Sequence, residues 1–258
     1  MVNGTTKSER PRTRLHVPAA LQAGGRAALA EGQAHYLRSV LRLQPGDRLL
    51  AFNGGDGEWL AEISALSKSA ATVELLERVR APMPEPDLWL LFAPLKGGRT
   101  EYVVEKATEL GVSALWPVFT RRSDVGRVNA ERLAANAAEA AEQCERLSVP
   151  RLIEAAPLET VLRGWDPART LYVAAESGEA MDASTAMAGR RGSPSAVLVG
   201  PEGGFDRGEL DLLAAMPFVV RIGLGPRVLR ADTACFAALS VWQAVSGDWA
   251  AARPPFRS

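Results

Sequence analysis

From residue 88 onward, short uninterrupted apolar runs alternate with segments of helical pattern, and this alternation limits the fold more than any other feature. The apolar runs predict strands at 88–95, 114–119, 171–175, 196–199 and 218–222. The segments between them predict helices at 100–110, 129–146, 206–215 and 232–245, with Asp232 as the N-cap of the last. A strand that is apolar on both faces must be covered on both faces. The pattern therefore predicts an α/β domain with a mostly parallel sheet.

The N-terminal part has a different pattern and predicts a small β-rich domain. Residues 49–52 form a short apolar run that stops at the turn sequence 53–57, and polar and apolar residues alternate after it. A helix predicted at 34–43 places Arg38 and Arg42 on one face, because they lie four residues apart.

A proline-rich stretch marks the boundary between these two patterns. Pro82, Pro84 and Pro86 stand at alternate positions, which favours an extended spacer. The sequence therefore predicts a small domain at 12–80, a linker at 81–87 and a larger domain at 88–250.

Charge and cysteine content narrow the class of function. The 258 residues carry 30 basic and 30 acidic side chains, which argues against a protein that coats nucleic acid non-specifically. With only Cys144, Cys235 and two histidines, a Cys/His metal site is excluded, and no metal is expected. No apolar run approaches the roughly 18 residues of a membrane span, and no secretory signal is evident. We expect a cytoplasmic protein.

Two glycine-rich segments follow predicted strands, at 198–205 and 222–230. Ligands of an open α/β sheet bind beyond the carboxyl ends of its strands, and glycine there lets the backbone approach a ligand closely. Neither segment fits a Walker-type phosphate loop or a dinucleotide fingerprint. The residues alone leave two interpretations open, which are one small-molecule pocket and two ordinary strand-to-helix turns.

Five motifs in the same order along the chain resemble one known family. The two strongest are GPEGGF at 200–205, followed by Glu209, and LGPRVLRADTA at 224–234. The others are HYL, VLR and PGD between 35 and 47, KATELGV at 106–112 with Pro117, Arg122 and Ser123, and EAAEQ at 139–143 with Arg146, Val149 and Pro150. Together they resemble the ribosomal RNA small subunit methyltransferase E family, which belongs to the SPOUT class. Tyr36 and Asp232 depart from the family pattern, where His and Glu are expected.

The resemblance implies an enzyme that transfers a methyl group from S-adenosylmethionine to N3 of a uridine in 16S rRNA. It implies a PUA-like β-barrel that grips RNA, followed by a SPOUT α/β domain with a trefoil knot. It further implies a homodimer whose partner is 16S rRNA or the small ribosomal subunit. Two rivals remain open, which are a SPOUT methyltransferase acting on another nucleotide and a non-catalytic RNA-binding assembly factor.

Candidate site residues follow from the resemblance and from the chemistry of the reaction. The cofactor is expected to contact the two glycine segments and the end of the 171–175 strand, at Ala174, Ala175, Leu198, Val199, Gly200, Pro201, Glu202, Gly203, Gly204, Ile222, Gly223, Leu224, Gly225, Pro226, Val228 and Leu229. Because N3 must lose a proton, Arg227 and Arg230 are candidates for stabilising the anion, and Asp232 is either a base or only a helix cap. The candidates for RNA contact are arginines, namely Arg12, Arg14, Arg38, Arg42, Arg121, Arg122 and Arg127.

Overall fold

The computed structural model describes residues 11, 13–175 and 180–251, and these residues form two compact units. The first unit contains the chain up to Pro84 together with the later segment Ala141–Val149. The second contains Glu85–Ala140 and the chain from Pro150 onward.

The first unit is built on a five-stranded sheet. Its strands are β1 (Arg14–His16), β2 (Arg26–Leu29), β3 (Arg48–Asn53), β4 (Gly57–Leu66) and β5 (Ala71–Arg80). Their order is β1-β3-β4-β5-β2, in which β1 and β3 are parallel and the other neighbours are antiparallel. Because β1 and β2 are the two edges and do not pair, the sheet is a curled PUA-like half-barrel. Alternate apolar side chains such as Leu49, Ala61 and Val73 fill its core.

The turn predicted at 53–57 is present between β3 and β4, and its residues explain it. The side-chain oxygen Oδ1 of Asn53 accepts the backbone N–H groups of Gly55 at 3.1 Å and Asp56 at 2.7 Å. Gly57 has a φ of +85°, and a Cβ there would lie 2.2 Å from the carbonyl oxygen of Arg80. Only glycine fits that position.

The helix predicted at 34–43 is regular only in its first part. The α-helix α1 (Glu31–His35) continues as a π-helical turn over Tyr36–Val40, in which Leu41 N–H donates to the Tyr36 carbonyl at 3.0 Å. Arg42 then has a φ of +56°, which is uncommon for a residue other than glycine. Arg38 and Arg42 therefore do not share an α-helical face, and that part of the prediction is wrong.

Arg14 joins the segment Ala141–Val149 to the sheet of the first unit. Its guanidinium donates to the Glu58 carboxylate, to the Ala141 carbonyl at 2.7 Å and to the Arg146 carbonyl, and it lies 3.5 Å from the centroid of the Phe52 ring. Phe52, Ala141 and Leu147 form a small buried cluster beside it. Arg14 is 3 % exposed, so the prediction that it contacts RNA is wrong.

The second unit contains an eight-stranded sheet, as the alternation of patterns predicts. Its strands are β6 (Leu88–Phe92), β7 (Ala114–Phe119), β8 (Arg151–Leu152), β9 (Ala156–Pro157), β10 (Thr170–Ala174), β11 (Met181–Asp182), β12 (Ser195–Val199) and β13 (Val219–Gly223). The order is β11-β13-β10-β12-β6-β7-β8, β9 pairs with β7, and every pair is parallel. The predicted mostly parallel sheet is confirmed.

Helices cover this sheet because its central strands are apolar on both faces. They are α2 (Arg99–Glu109), α3 (Ala130–Gln143), α4 (Leu158–Arg163), α5 (Ala183–Met187), α6 (Arg207–Ala214) and α7 (Ala231–Val245). One buried cluster joins Leu91, Val173 and Leu198 of the strands to Val161 of α4 and Leu213 of α6. Helix α7 packs against β12, α2 and α5. Every helix in the described ranges falls short of what a bilayer span requires.

Two helices begin directly after the glycine segments, and their caps differ. Asp206 caps α6, since its carboxylate accepts the N–H of Gly208 at 2.9 Å. The N-cap of α7 is Arg230, whose carbonyl accepts the N–H of Ala234 at 2.8 Å, so the prediction of Asp232 as the cap is wrong. Asp232 lies inside the first turn, where its Oδ1 accepts the N–H of Thr233 at 2.8 Å.

Candidate functional site

A cavity of about 710 Å³ lies at the carboxyl ends of β10, β12 and β13. Both glycine segments line it, the first at the end of β12 and the second at the end of β13. Parallel strands end at the same edge of a sheet, so segments that are about 20 residues apart in sequence meet here. The volume falls within the range of small-molecule sites. The glycine segments thus form one pocket.

The backbone of these segments takes conformations that side chains would prevent. Gly204 and Gly225 have φ values of +68° and +97°, in the left-handed region that favours glycine. At Gly200 a Cβ would lie 2.9 Å from the Phe205 ring, which packs against the bare backbone. These glycines therefore bring main-chain N–H and carbonyl groups to the cavity wall.

All but one of the predicted cofactor residues line the cavity. The exception is Leu198, which is fully buried in β12. The residues at the cavity wall are Ala174, Ala175, Val199, Gly200, Pro201, Glu202, Gly203, Gly204, Ile222, Gly223, Leu224, Gly225, Pro226, Val228 and Leu229. The structure also places residues there that are not among the predicted cofactor contacts, namely Arg122, Ala180, Phe205, Leu210, Ala231 and Ala234.

Arg122 was a candidate for RNA contact, and the structure places it at the first glycine segment. Its Nη1 donates to the carbonyl oxygen of Gly203 at 2.9 Å. The resemblance of residues 122–123 to a family motif was the only sequence signal for this residue. Its position shows that the loop after β7 forms one wall of the cavity.

Glu209 of α6 also holds the loop after β7 in place. Its carboxylate is buried, and it accepts the N–H of Arg121 at 2.8 Å and the N–H of Asp206 at 2.8 Å. The Arg121 side chain in turn lies 3.1 Å from Asp206 and 3.3 Å from Glu159. The N–H of Gly208, and to a lesser extent Arg121, lower the pKa of Asp206. This network orders the N-terminus of α6 immediately after the glycine segment.

Of the three candidate catalytic residues, two line the cavity. Arg227 and Arg230 are exposed at its mouth, and within the described part of the chain their side chains make no hydrogen bond or ion pair. Asp232 is not among the lining residues, and its Oδ2 lies 3.9 Å from Nε of Arg99. Arg99 also donates from Nη1 to Oε1 of Glu202. Sequence reasoning missed Arg99, for which no local pattern gives a signal.

The remaining RNA candidates differ in how accessible they are. Arg12 lies outside the described residues. Arg38 and Arg42 in the first unit and Arg127 in the second are exposed. The side chain of Arg121 is exposed but already lies between two carboxylates. Among the described residues, no group of three or more His, Cys, Asp or Glu side chains could hold a metal ion.

Comparison with known proteins decides the family. A model described as "RNA methyltransferase domain" matches residues 82–243, more than half of the chain, and one described as "RNA methyltransferase PUA domain" matches residues 29–76. A Rickettsia conorii protein named ribosomal RNA small subunit methyltransferase E is 34 % identical over 88 % of this chain and 93 % of its own length. The chain belongs to the ribosomal RNA small subunit methyltransferase E family. The family resemblance read from the motifs is confirmed.

Solved structures of similar proteins agree with this assignment. A Legionella pneumophila methyltransferase, described in complex with the bound cofactor SAM, is 29 % identical with a TM-score of 0.80 and covers 93 % of this chain and 99 % of its own. A Neisseria gonorrhoeae member of the family, bound to S-adenosyl methionine, is 25 % identical with a TM-score of 0.82 and covers 92 % of this chain and 99 % of its own. The predicted PUA-like and SPOUT architecture is confirmed.

Proposed function

We propose that this protein is an S-adenosylmethionine-dependent methyltransferase that modifies N3 of uracil 1498 in 16S rRNA. The observation that carries the proposal is the glycine-lined cavity at the carboxyl ends of β10, β12 and β13, with Arg227 and Arg230 at its mouth. Membership of a family whose named relatives are small-subunit rRNA methyltransferases supports the substrate.

The lining of the cavity suits S-adenosylmethionine. Gly204 and Gly225 present main-chain groups to it, and in the described part of the chain no atom beyond their chain neighbours lies within 4 Å of where their Cβ atoms would stand. Apolar side chains of Ile222, Leu224 and Leu229 give a surface on which an adenine ring packs. When bound, the cofactor supplies a methyl group on a positively charged sulfur, which is transferred without the help of a metal.

The residues at the mouth act on the uracil. N3 carries a weakly acidic imide proton, which must leave before or during attack on the methyl group. Two guanidinium groups without a carboxylate partner among the described residues favour the anionic form of the base, because they stabilise charge on its oxygen atoms. Arg230 also stands at the N-terminus of α7, whose dipole adds to the same positive field. We assign this role first to Arg230 and then to Arg227.

Asp232 has a weaker claim to a catalytic role. Its carboxylate faces Arg99 and the backbone of Thr233, and the residue does not line the cavity. A general base must come within hydrogen-bond reach of the proton that it removes. We therefore propose that solvent takes the N3 proton. Arg227 and Arg230 lower the affinity of N3 for that proton.

RNA binding is proposed for both units. Arg38 in the π-helical turn of the first unit, Arg42 just after it and Arg127 of the second unit are exposed and suited to phosphate contacts. Residues 12–80 would then form the RNA-binding domain, 81–87 the linker and 88–250 the methyltransferase domain, apart from Ala141–Val149, which belongs to the first compact unit. The trefoil knot implied by the resemblance stays a prediction.

A homodimer and a cytoplasmic location complete the proposal. Tyr102 of α2, Val245 at the end of α7 and Trp249 beyond it are exposed apolar side chains of the second unit. Such exposed apolar side chains suit an interface with a second copy. Sedimentation of the purified protein tests the homodimer, and a monomer at micromolar concentration would contradict it.

Mass-spectrometric mapping of 16S rRNA tests the reaction. Ribosomal RNA from a strain that lacks the protein should carry an unmethylated uracil at the target position, and purified protein with S-adenosylmethionine should restore the methyl group. Methylation of another nucleotide would support a different SPOUT specificity. Unchanged rRNA in the deletion strain, together with an inactive purified protein, would favour an assembly factor.

A further inference from the structure

We propose that Arg99 is a positioning residue of the methyl-transfer site, which joins the two glycine segments and cancels the negative charge of the carboxylates beside them. The inference rests on the proposed function and assigns a role to a residue outside the cavity wall. Arg99 does not contact the reacting atoms; it acts through Glu202 and Asp232.

The chain before α2 places the Arg99 side chain with little freedom. Gly97 and Gly98 both have left-handed φ values, of +69° and +80°, and Arg99 is the first residue of the helix. The next residue, Thr100, is buried, and its hydroxyl group both donates to the Leu95 carbonyl at 2.8 Å and accepts the Leu95 N–H at 2.7 Å. This local closure of the loop holds the start of α2 in one place.

The Arg99 guanidinium bridges two parts of the site that are far apart in sequence. Its Nη1 donates to Oε1 of Glu202, in the first glycine segment, and its Nε lies 3.9 Å from Oδ2 of Asp232, in the first turn of α7. That turn follows directly on the second glycine segment. The side chain is about a quarter exposed, at 28 %, so water only partly screens these charges.

The charge balance at the mouth depends on this residue. Glu202 and Asp232 bring two negative charges to the region where Arg122, Arg227 and Arg230 bring three positive ones. With Arg99 the six side chains carry a net charge of +2, and without it the net charge falls to +1. Because the reaction passes through a uracil that loses its N3 proton, the lost charge raises the pH at which the base ionises. A lower rate and a pH profile displaced upward are the expected consequences.

Single-turnover methylation at saturating S-adenosylmethionine and saturating 16S rRNA, measured across pH, tests the proposal. We expect Arg99→Ala to be roughly tenfold slower at neutral pH, as expected when a unit charge is removed within about 10 Å at intermediate dielectric. The rate should recover toward the wild-type value as the pH rises. Arg99→Lys should stay within about threefold of wild type, since it keeps the charge and loses only the fork.

A second variant separates charge from mere structure. Arg99→Ala combined with Glu202→Gln removes one of the exposed carboxylates and should be faster than Arg99→Ala alone. Arg132→Ala is the matched control. Arg132, in α3, pairs at 3.1 Å with Glu101 of α2, the helix that begins with Arg99, and it lies outside the cavity wall. It loses the same charge and should keep the wild-type profile.

Two results would overturn the role of Arg99. One is an Arg99→Ala enzyme that keeps the wild-type pH profile. This holds also if calorimetry shows that the variant binds the cofactor more weakly. The other is a double variant no faster than the single one. Failure of the proposed function is recognised separately, because the wild-type protein would then leave the N3 position of 16S rRNA unmethylated.

Discussion

Replacing Arg14 with methionine should destabilise the first unit without weakening phosphate contacts. The substitution keeps an apolar stem over Phe52 and removes the guanidinium that holds Glu58 and the carbonyl groups of Ala141 and Arg146. The Glu58 side chain is only 4 % exposed, so its carboxylate stays buried. Arg80 is the nearby cation that remains, at 3.6 Å.

The size of the effect follows from this geometry. Removing one partner of a buried ion pair costs about 3–5 kcal/mol, because the other charge is left without compensation. Since Arg80 still faces Glu58, we expect the lower end, about 3 kcal/mol. The segment Ala141–Val149 loses two of its attachments to the sheet, so its amide hydrogens should exchange faster. The amides of the glycine segments should not change.

Urea denaturation and hydrogen exchange with mass spectrometry measure these two effects. Arg48→Met is the matched control, because Arg48 pairs with Glu62 on the same sheet at 3.9 Å and both side chains are about two-fifths exposed. Exposed pairs contribute about 0–1 kcal/mol. If Arg14→Met is no less stable than Arg48→Met but binds rRNA with a shallower salt dependence, Arg14 is an RNA contact and the reasoning is wrong.

Three further predictions concern the pocket and the pH dependence of stability. Gly225→Ala should lower the affinity for S-adenosylmethionine at least tenfold in calorimetry with a chelator present, because its φ of +97° strains any side chain. Gly203→Ala should bind the cofactor nearly normally, because a Cβ there meets only ordinary contacts at 3.7 Å. Equal affinities of the two variants would contradict this reasoning. Arg230→Ala should be about 10²-fold slower in single turnover at saturating RNA, with little change in cofactor affinity, whereas a rate that saturating RNA restores would indicate a phosphate contact. Burial, and then the Arg14 charge, lower the pKa of His16, so the unfolded chain takes up a proton below about pH 6.5 that the folded chain does not. The free energy of unfolding should therefore fall as the pH drops below that value. In His16→Gln this fall should be smaller.

The parts of the fold that sequence reasoning predicts well are those set by local pattern. The continuous apolar runs of β6, β7, β10, β12 and β13 predict strands because a buried parallel strand is apolar on both faces. The two glycine segments follow such strands, so a shared pocket is one of the two interpretations that the residues leave open. Local sequence also indicates the N-cap of α6, because Asp206 is a typical N-cap residue with Glu209 three residues after it.

Other features depend on contacts that no local pattern records. The helical periodicity of 34–43 does not reveal the π-helical turn, in which Leu37 is buried but Val40 is exposed. Leu147 lies 95 positions from Phe52 in sequence, yet both belong to one cluster, so the segment Ala141–Val149 cannot be assigned to the first unit from the residues around it. Arg99 reaches Glu202 across a similar span of sequence.

The arginines of this chain show why composition alone says little about RNA binding. All but four of the 30 basic residues are arginines, and the net charge is zero. The structure nevertheless distinguishes three situations for them. Arg14 is buried with its partners, Arg99 and Arg121 are each held by two carboxylates, and Arg227 and Arg230 face the cavity without a partner among the described residues. A guanidinium that already has a carboxylate gains little from a phosphate or a uracil anion, because the new contact must replace an existing one. The arginines that act on substrate should therefore be those whose charge the fold leaves uncompensated.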